Sequence, residues 1–310
     1  MKLTVKLTVF ALLLCAPLFA QNPPAAAVVA DDDKPITLDV SRVNLLFTVT
    51  DKKGRFVNNL KKEDFQIMEN KRKQSILEFT AETDLPLRLA ILVDTSNSIR
   101  TRFRFLQDAA IEFINTAMRT GKDKALIMHF DTEAQLAVSL TGDKTTLVAA
   151  VRRMLAGGGT ALNDAIYYSS QQLTKDEPHD QFRRAIIILS DGEDTLSQFS
   201  REQALEMAQK ADCVIYTVST NITHNATDGD KVLKHLAEQT GGLAYFPFKD
   251  EDLGQSFVNI TNELRHQYNA VYRPEPMIRD GRFHPIDVKV TITGDYIVRA
   301  RQGYIAPGGN

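Results

Sequence analysis

Leu89-Ala90-Ile91-Leu92-Val93-Asp94-Thr95-Ser96-Asn97-Ser98 decides the fold. An almost unbroken apolar run ends in a carboxylate followed by hydroxyl residues, the pattern of a strand buried on both faces that delivers oxygen atoms at its carboxyl end. In open α/β sheets that end is where ligands bind. Asp94, Ser96 and Ser98 alternate, so a turn leaving the strand brings one carboxylate and two hydroxyls towards one point, with no lysine or arginine among them. Hard oxygens of this kind suit a divalent cation, Mg²⁺ above all, that keeps some of its water. An isolated Asp-x-Ser-x-Ser reads more readily as a turn that only caps the next helix. Two further segments change that balance.

Downstream, strand and helix patterns alternate, which predicts a parallel sheet wrapped by helices. Phe105, Ala109, Phe113 and Ala117 recur at helical spacing before Gly121, and Ala125–Phe130 forms the next strand. Glu133–Leu140 reads as an antiparallel edge, and residues 143–154 as a helix leading to Gly157-Gly158-Gly159-Thr160. The glycines allow a sharp turn and a close backbone approach, so that Thr160 can face the Asp94 loop; its alternative role is to cap the helix that follows. As a phosphate cradle the loop fails, because no Gly-Lys-Ser/Thr follows and no strand precedes it. Arg184–Leu189 is a second buried strand, and it too ends in a carboxylate, Asp191. Asp194 reads as a loop charge able to order its surroundings, and Asp131 as an outer neighbour of the same loops. Helix 201–211, strand 213–219, helix 229–240, strand 243–248 and a last helix carrying Leu253, Phe257, Ile260 and Leu264 on one face complete the unit.

Asp94-Thr95-Ser96-Asn97-Ser98 resembles the first motif of the von Willebrand factor type A domain family, whose metal-ion-dependent adhesion site adds a distant Thr and a distant Asp. Thr160 and Asp191 match those two, so Asp94, Ser96, Ser98, Thr160 and Asp191 stand in family order. The resemblance implies Mg²⁺ or Mn²⁺ held by the hydroxyls directly and by the aspartates partly through water, with the last position filled by a Glu or Asp carboxylate of a protein partner. Asn97 stands where the family often has Gly, and Asn tolerates a left-handed backbone best among other residues. The likeness covers residues 86–270. More loosely, the whole chain looks like secreted bacterial proteins of acidobacterial type that carry this domain between β-rich flanks.

The flanks follow a period of two. Residues 35–84 read as a β unit: Ile36, Leu38 and Val40, then Leu45, Phe47 and Val49, a turn at Asp51–Gly54, and a turn-linked pair at Phe65–Asn70 and Ser75–Phe79. Lys71-Arg72-Lys73 makes a solvated tip. Residues 275–307 supply Ile286–Ile292 and Tyr296–Ala300, joined by a turn at Thr293–Asp295. Neither set alone has enough strands for a core, so the expected fold is a doubly wound Rossmann-like α/β sheet inserted into a small β-sandwich built from both ends.

The 310 residues carry 37 Lys and Arg against 39 Asp and Glu, so charge gives no reason to expect nucleic acid or an acidic membrane as partner. Residues 1–20 read as a secretory signal, with Lys2 and Lys6, an apolar core and Leu18-Phe19-Ala20. Residues 21–34 read as a disordered, Pro/Ala-rich then acidic leader. Leu14 before Cys15 argues against a lipid anchor, and no later run is long enough to span a bilayer. Cys213 reads as a small core residue, and His129 and His284 have no second His at ligand spacing. The expected function is a secreted or periplasmic, non-enzymatic module in which the cation bridges to a partner carboxylate. A metal-dependent hydrolase would need a general base beside the ion, and an envelope protein using the metal only for stability would show no metal-dependent partner. The sequence leaves the oligomeric state open.

Overall fold

Residues 42–81, 85–175, 182–221, 225–247 and 250–308 are described by a computed structural model. The expected signal, the leader and the first expected strand at Ile36–Val40 lie outside them. The chain opens with β1 (Val43–Asp51), β2 (Phe65–Glu69), β3 (Arg72–Gln74) and β4 (Ile76–Thr80). It then forms β5 (Leu87–Asp94), α1 (Phe103–Ala117), β6 (Lys124–Phe130), β7 (Ala134–Thr141), α2 (Lys144–Arg153), α3 (Leu162–Thr174) and β8 (Arg183–Ser190). After these come α4 (Arg201–Lys210), β9 (Cys213–Ser219), α5 (Asp228–Thr240), β10 (Ala244–Tyr245) and α6 (Asp250–Arg265). The last strands are β11 (Tyr268–Tyr272), β12 (Phe283–Val290), β13 (Tyr296–Ala300) and β14 (Gly303–Ile305).

The central sheet has the order β10-β9-β8-β5-β6-β7, parallel except for β7. Every residue of β5 and β8 is buried, as the continuous apolar runs require. Leu87, Leu89, Ile91 and Val93 of β5 face α1, α2 and α6, while Ala90 and Leu92 face α3, α4 and α5. The sheet is therefore covered on both sides.

Two buried arginines open β8 and close helices elsewhere. Arg183 donates to the carbonyls of Leu264 (2.8 Å) and Gln267 (2.6 Å) at the end of α6, and Arg184 Nε donates to Leu173 at the end of α3 (3.0 Å). Last-turn carbonyls buried against a sheet need such partners, and a charged donor suits the negative end of the helix dipole.

Asp123 plays the matching part at the amino end of the sheet. Its carboxylate accepts from the N–H of Leu87 (2.8 Å), the N–H of Arg119 (2.7 Å) and the Arg265 guanidinium (2.5 Å). Burial pushes its pKa up, but these donors outweigh that and bring it down to about 2. A carboxylate depressed in the folded state contributes stability above its unfolded value, 3.8, and loses it as pH falls towards about 2. Asp123→Asn should therefore lower the melting temperature at neutral pH and flatten the acid limb of the stability curve, as followed by circular dichroism. An acid limb unchanged by the substitution would contradict this assignment.

Strands from both ends of the chain form two further sheets, β13-β1-β11-β4 and β14-β12-β2-β3. Their facing side chains, among them Val43, Leu45, Phe47, Phe65, Ile67, Tyr268, Tyr272 and Val288, make one separate core, with Tyr268 stacked on Phe47 and Phe79. Inside it, buried Glu69 accepts from Tyr272 (2.7 Å) and Tyr304 (3.1 Å) and sits 2.9 Å from His284 Nδ1. The α/β unit is thus inserted between β4 and β11, which are antiparallel neighbours, so its entry and exit points lie together.

Three details differ from the sequence reading. β2 pairs with β3 through a turn at Asn70-Lys71, both with positive φ, while residues 76–80 belong to the opposite sheet. β12 and β13 are not a hairpin: β12 pairs with β2 and β14, and β13 with β1. β11 begins at Tyr268 and lies between β1 and β4, so the insertion ends with α6 rather than at 270.

Candidate metal centre

β5 and β8 run side by side in parallel register, Val93 opposite Leu189, and release the chain at the same end of the sheet. From β5 the chain continues to β6 on one side and later returns as β8 on the other, so Asp94 stands at the topological switch point.

Asp94 is fully buried, and its hydrogen-bond partners are neutral. The Ser96 N–H donates to Oδ1 (2.8 Å) and the Ser190 hydroxyl to Oδ2 (2.6 Å). Burial, with a smaller push from the nearby charge of Asp191, raises the Asp94 carboxyl to about 6 against the bonds from Ser190 and Ser96, which lower it. Ser96 Oγ and Ser98 Oγ lie 2.9 Å apart.

The glycine loop is bonded to this turn. Gly157 N–H donates to the Thr95 carbonyl (2.7 Å), and Asn97 N–H donates to the Gly158 carbonyl (3.1 Å). On the far side, the Thr160 carbonyl accepts from the N–H groups of Thr195 (2.8 Å) and Leu196 (3.0 Å), and its own N–H donates to Thr195 Oγ1 (3.1 Å). The loops bearing Asp94, Thr160 and Asp191 are therefore tied into one unit. Asp194 helps by accepting from the backbone and side-chain amides of Asn163 in the first turn of α3. Asp131 lies against Gly158 rather than against Asp94.

Thr160 is buried, yet its hydroxyl makes no hydrogen bond among the described residues, and the cap position of α3 belongs to Ala161. Asp191 Oδ1 accepts from the Glu193 N–H (3.1 Å), leaving its other oxygen to a ligand. Asn97 does not need the left-handed backbone it would tolerate: among the described residues the non-glycine residues with positive φ are Asn70, Lys71 and Asp212. Its exposed side chain replaces Gly without strain.

The donor set fits a hard divalent cation. A buried carboxylate with a second one nearby and no cationic side chain bonded to it is short of positive charge, and the Ser96 hydroxyl, paired with that of Ser98, stands beside it. Among the described residues no group of three or more His, Cys, Asp or Glu could hold a metal, so such a site depends on its hydroxyls. Ser190 is the residue the sequence reading missed. It links Asp94 to the other strand and accepts from the Gly192 N–H (3.0 Å), and its place as the last residue of β8 is the one signal it carries. His129, level with Val93, alternates with Ala125 and Ile127 and so faces the α1 and α2 layer; burial lowers its pKa. Burial pushes the Cys213 thiol up to about 12, which makes it inert.

Beside these loops lies an open cleft of about 690 Å³, whose lining includes Ser98, Asp191, Arg102, Asn163, Arg201 and Thr227.

The sequence profile of the von Willebrand factor type A domain matches residues 89–263. No curated protein sequence matches the chain. Among solved structures, the chain is similar to a von Willebrand factor type A protein from Catenulispora acidiphila, with 13% identity, a TM-score of 0.51 and coverage of 87% of this chain and 75% of that one. It is also similar to proximal thread matrix protein 1 from the mussel byssus, described with a zinc-occupied MIDAS motif, with 14% identity, a TM-score of 0.50 and coverage of 64% of this chain and 50% of that one. At such identities these likenesses show the fold.

Proposed function

Because the chain belongs to the von Willebrand factor type A domain family, we propose that it is an extracytoplasmic binding module whose Asp94, Ser96, Ser98, Thr160 and Asp191 hold Mg²⁺ or Mn²⁺ for a protein partner's Asp or Glu. The observation that carries this reading is the buried, uncompensated Asp94 carboxylate, bonded only to neutral groups and close to the charge of Asp191. The bound ion would supply a desolvated positive charge for the partner's carboxylate. Ser190 and the Ser96 N–H orient Asp94, the glycine loop presents Thr160, and Asp194 fixes the start of α3.

A hydrolase would need a general base beside the ion, and the side chains bonded to Asp94 are serine hydroxyls. Placement outside the cytoplasm rests on residues 1–20 read as a secretory signal; no helix of the described residues is long and apolar enough to cross a membrane.

Mn²⁺ titration by calorimetry tests the site directly. Thr160→Ala and Asp191→Ala should each weaken Mn²⁺ binding by at least about tenfold, or ~1.4 kcal/mol, while leaving the circular dichroism spectrum unchanged. Unaltered Mn²⁺ affinity in both variants would exclude the three-loop site. Capture of an envelope protein by the full chain in Mg²⁺, abolished by EDTA, tests the partner half of the reading.

A further inference from the structure

The sandwich holds a second cluster of titratable side chains, on none of the metal-binding loops. His284, the second residue of β12, is buried, and both of its ring nitrogens face carboxylate oxygens. Nδ1 lies 2.9 Å from Glu69 Oε1, on β2, and Nε2 lies 3.1 Å from Asp280 Oδ1, in the segment that leads from β11 to β12. A neutral imidazole has one N–H and one lone pair, so it can donate to only one of two carboxylates; the charged ring donates to both. Neither carboxylate supplies the missing proton. Glu69 already accepts from Tyr272 and Tyr304, and burial together with the Glu69 charge pushes both phenols up, so they stay donors. Asp280 accepts from the Arg282 N–H (2.9 Å), and that bond, with His284, holds its carboxyl below the usual range. The bonds are those of a ring with both protons.

Losing one of them acts unevenly. Glu69 is 3% exposed and has no water to turn to, whereas Asp280 stands at the surface. The remaining proton therefore stays on Nδ1, and Nε2 turns a lone pair towards the Asp280 oxygen. The other charges around the ring are Arg301, over the Tyr304 ring at 5.9 Å, and Arg72, Arg282 and Glu275, which share a cavity with His284. Among the described residues none of these side chains bonds to the ring, so none replaces the lost donor.

That cavity, of about 330 Å³, has Glu275, Ile278 and Asp280 in one wall and the sheet in the other. The near end of the wall is fixed by buried Gln74, which accepts from the Glu275 N–H (2.8 Å) and donates to its carbonyl (3.2 Å). The far end is tied by Asp280, through His284 and a backbone bridge to Gly308.

We infer that His284 is a proton-operated latch: with both ring protons it ties residues 275–282 along the cavity, and on releasing one it frees Asp280 and lets that wall open. The cavity is thus closed in acid and opened in base.

Solution NMR of the full chain with ¹⁵N-labelled histidine reads the proton on each ring nitrogen from about pH 5 to about pH 9. Hydrogen exchange of residues 277–282, corrected for the intrinsic rate at each pH, reads the wall. On the acid side both His284 nitrogens should carry protons; on the alkaline side Nδ1 alone should, with exchange across 277–282 at least about tenfold faster. Asp280→Asn keeps the shape, and its amide can accept from Nε2–H or, turned over, donate to the bare Nε2, so exchange should stay slow at both ends. Asp280→Ala should exchange fast at both ends and release the second ring proton about one pH unit lower. The His284 signals are those that move in the two variants. A ring whose proton count never changes, or a proton that leaves from Nδ1, would overturn the latch. So would exchange indifferent to pH in the unsubstituted protein, or an Asp280→Asn variant that follows the unsubstituted protein.

Discussion

Asp94→Asn will melt at a higher temperature than the unsubstituted protein when both are held in EDTA near pH 8, and it will no longer respond to Mg²⁺ or Mn²⁺. The folded protein raises the Asp94 pKa from 3.8 to about 6 through burial and the Asp191 charge. A carboxyl raised in this way favours the fold fully below its unfolded pKa, and that contribution is lost as pH rises through the folded value. Above about pH 6 the ionised group therefore costs stability, roughly 3 kcal/mol for a shift of about two units. Asparagine keeps an oxygen for the Ser96 N–H and offers an amide to the Ser190 hydroxyl, so most of that cost is relieved. The gain should shrink as pH falls below 6 and vanish near pH 4. In the unsubstituted protein, Mg²⁺ at about a hundred times its dissociation constant should restore ~2.7 kcal/mol, a shift of several degrees. Differential scanning calorimetry in EDTA and in Mg²⁺ decides the matter: a destabilised Asp94→Asn, or a melting temperature of the unsubstituted protein indifferent to both ions, would show that Asp94 is not held ready for a cation.

That prediction draws on a stretch that was readable from the start, and the reason is physical. Leu89–Val93 and Ala185–Leu189 are continuous apolar runs because parallel strands under helices are buried on both faces, and an Asp at the end of each has few explanations other than a site. The helices followed from their apolar spacing, and the pooling of N- and C-terminal strands from the shortage of strands in either set. Pairing was less legible. A period of two says which side chains share a face but not which strand lies alongside, so it pairs Ser75–Phe79 and Tyr296–Ala300 with their chain neighbours, whereas β4 and β13 join β11 and β1. Ser190 was illegible for another reason: a serine ending a buried strand is a common residue, and only the register of β8 against β5 brings its hydroxyl to Asp94. Arg183 and Arg184 resemble a charged strand start until the ends of α6 and α3 arrive above them.

Gly229→Ala, in the first turn of α5, should destabilise the protein by more than about 3 kcal/mol, against the usual gain of up to about 1 kcal/mol for this exchange in a helix. A Cβ at 229 would fall on the Asp191 carbonyl oxygen, and one at Gly192 on the Gly229 carbonyl. Both obstacles are backbone, one in the loop that follows β8 and the other in the first turn of α5, so relief requires moving the Asp191 loop and α5 apart. Gly192 carries the further demand of φ +83, which L-residues adopt at a cost of ~1–2 kcal/mol. Gly192→Ala should therefore be at least as damaging as Gly229→Ala. Gly254, inside α6, supplies the contrast: its added Cβ would meet only the end of the Glu112 side chain, at 2.9 Å, which can swing aside. Gly254→Ala should be neutral or mildly stabilising. Urea unfolding in EDTA measures the three stabilities, and Mn²⁺ calorimetry on whatever remains folded should show weakened affinity in the 192 and 229 variants and unchanged affinity in the 254 variant. If Gly229→Ala instead gains stability as helix propensity alone dictates, the Asp191 loop is not wedged against α5, and the placement of the third metal-binding loop is wrong.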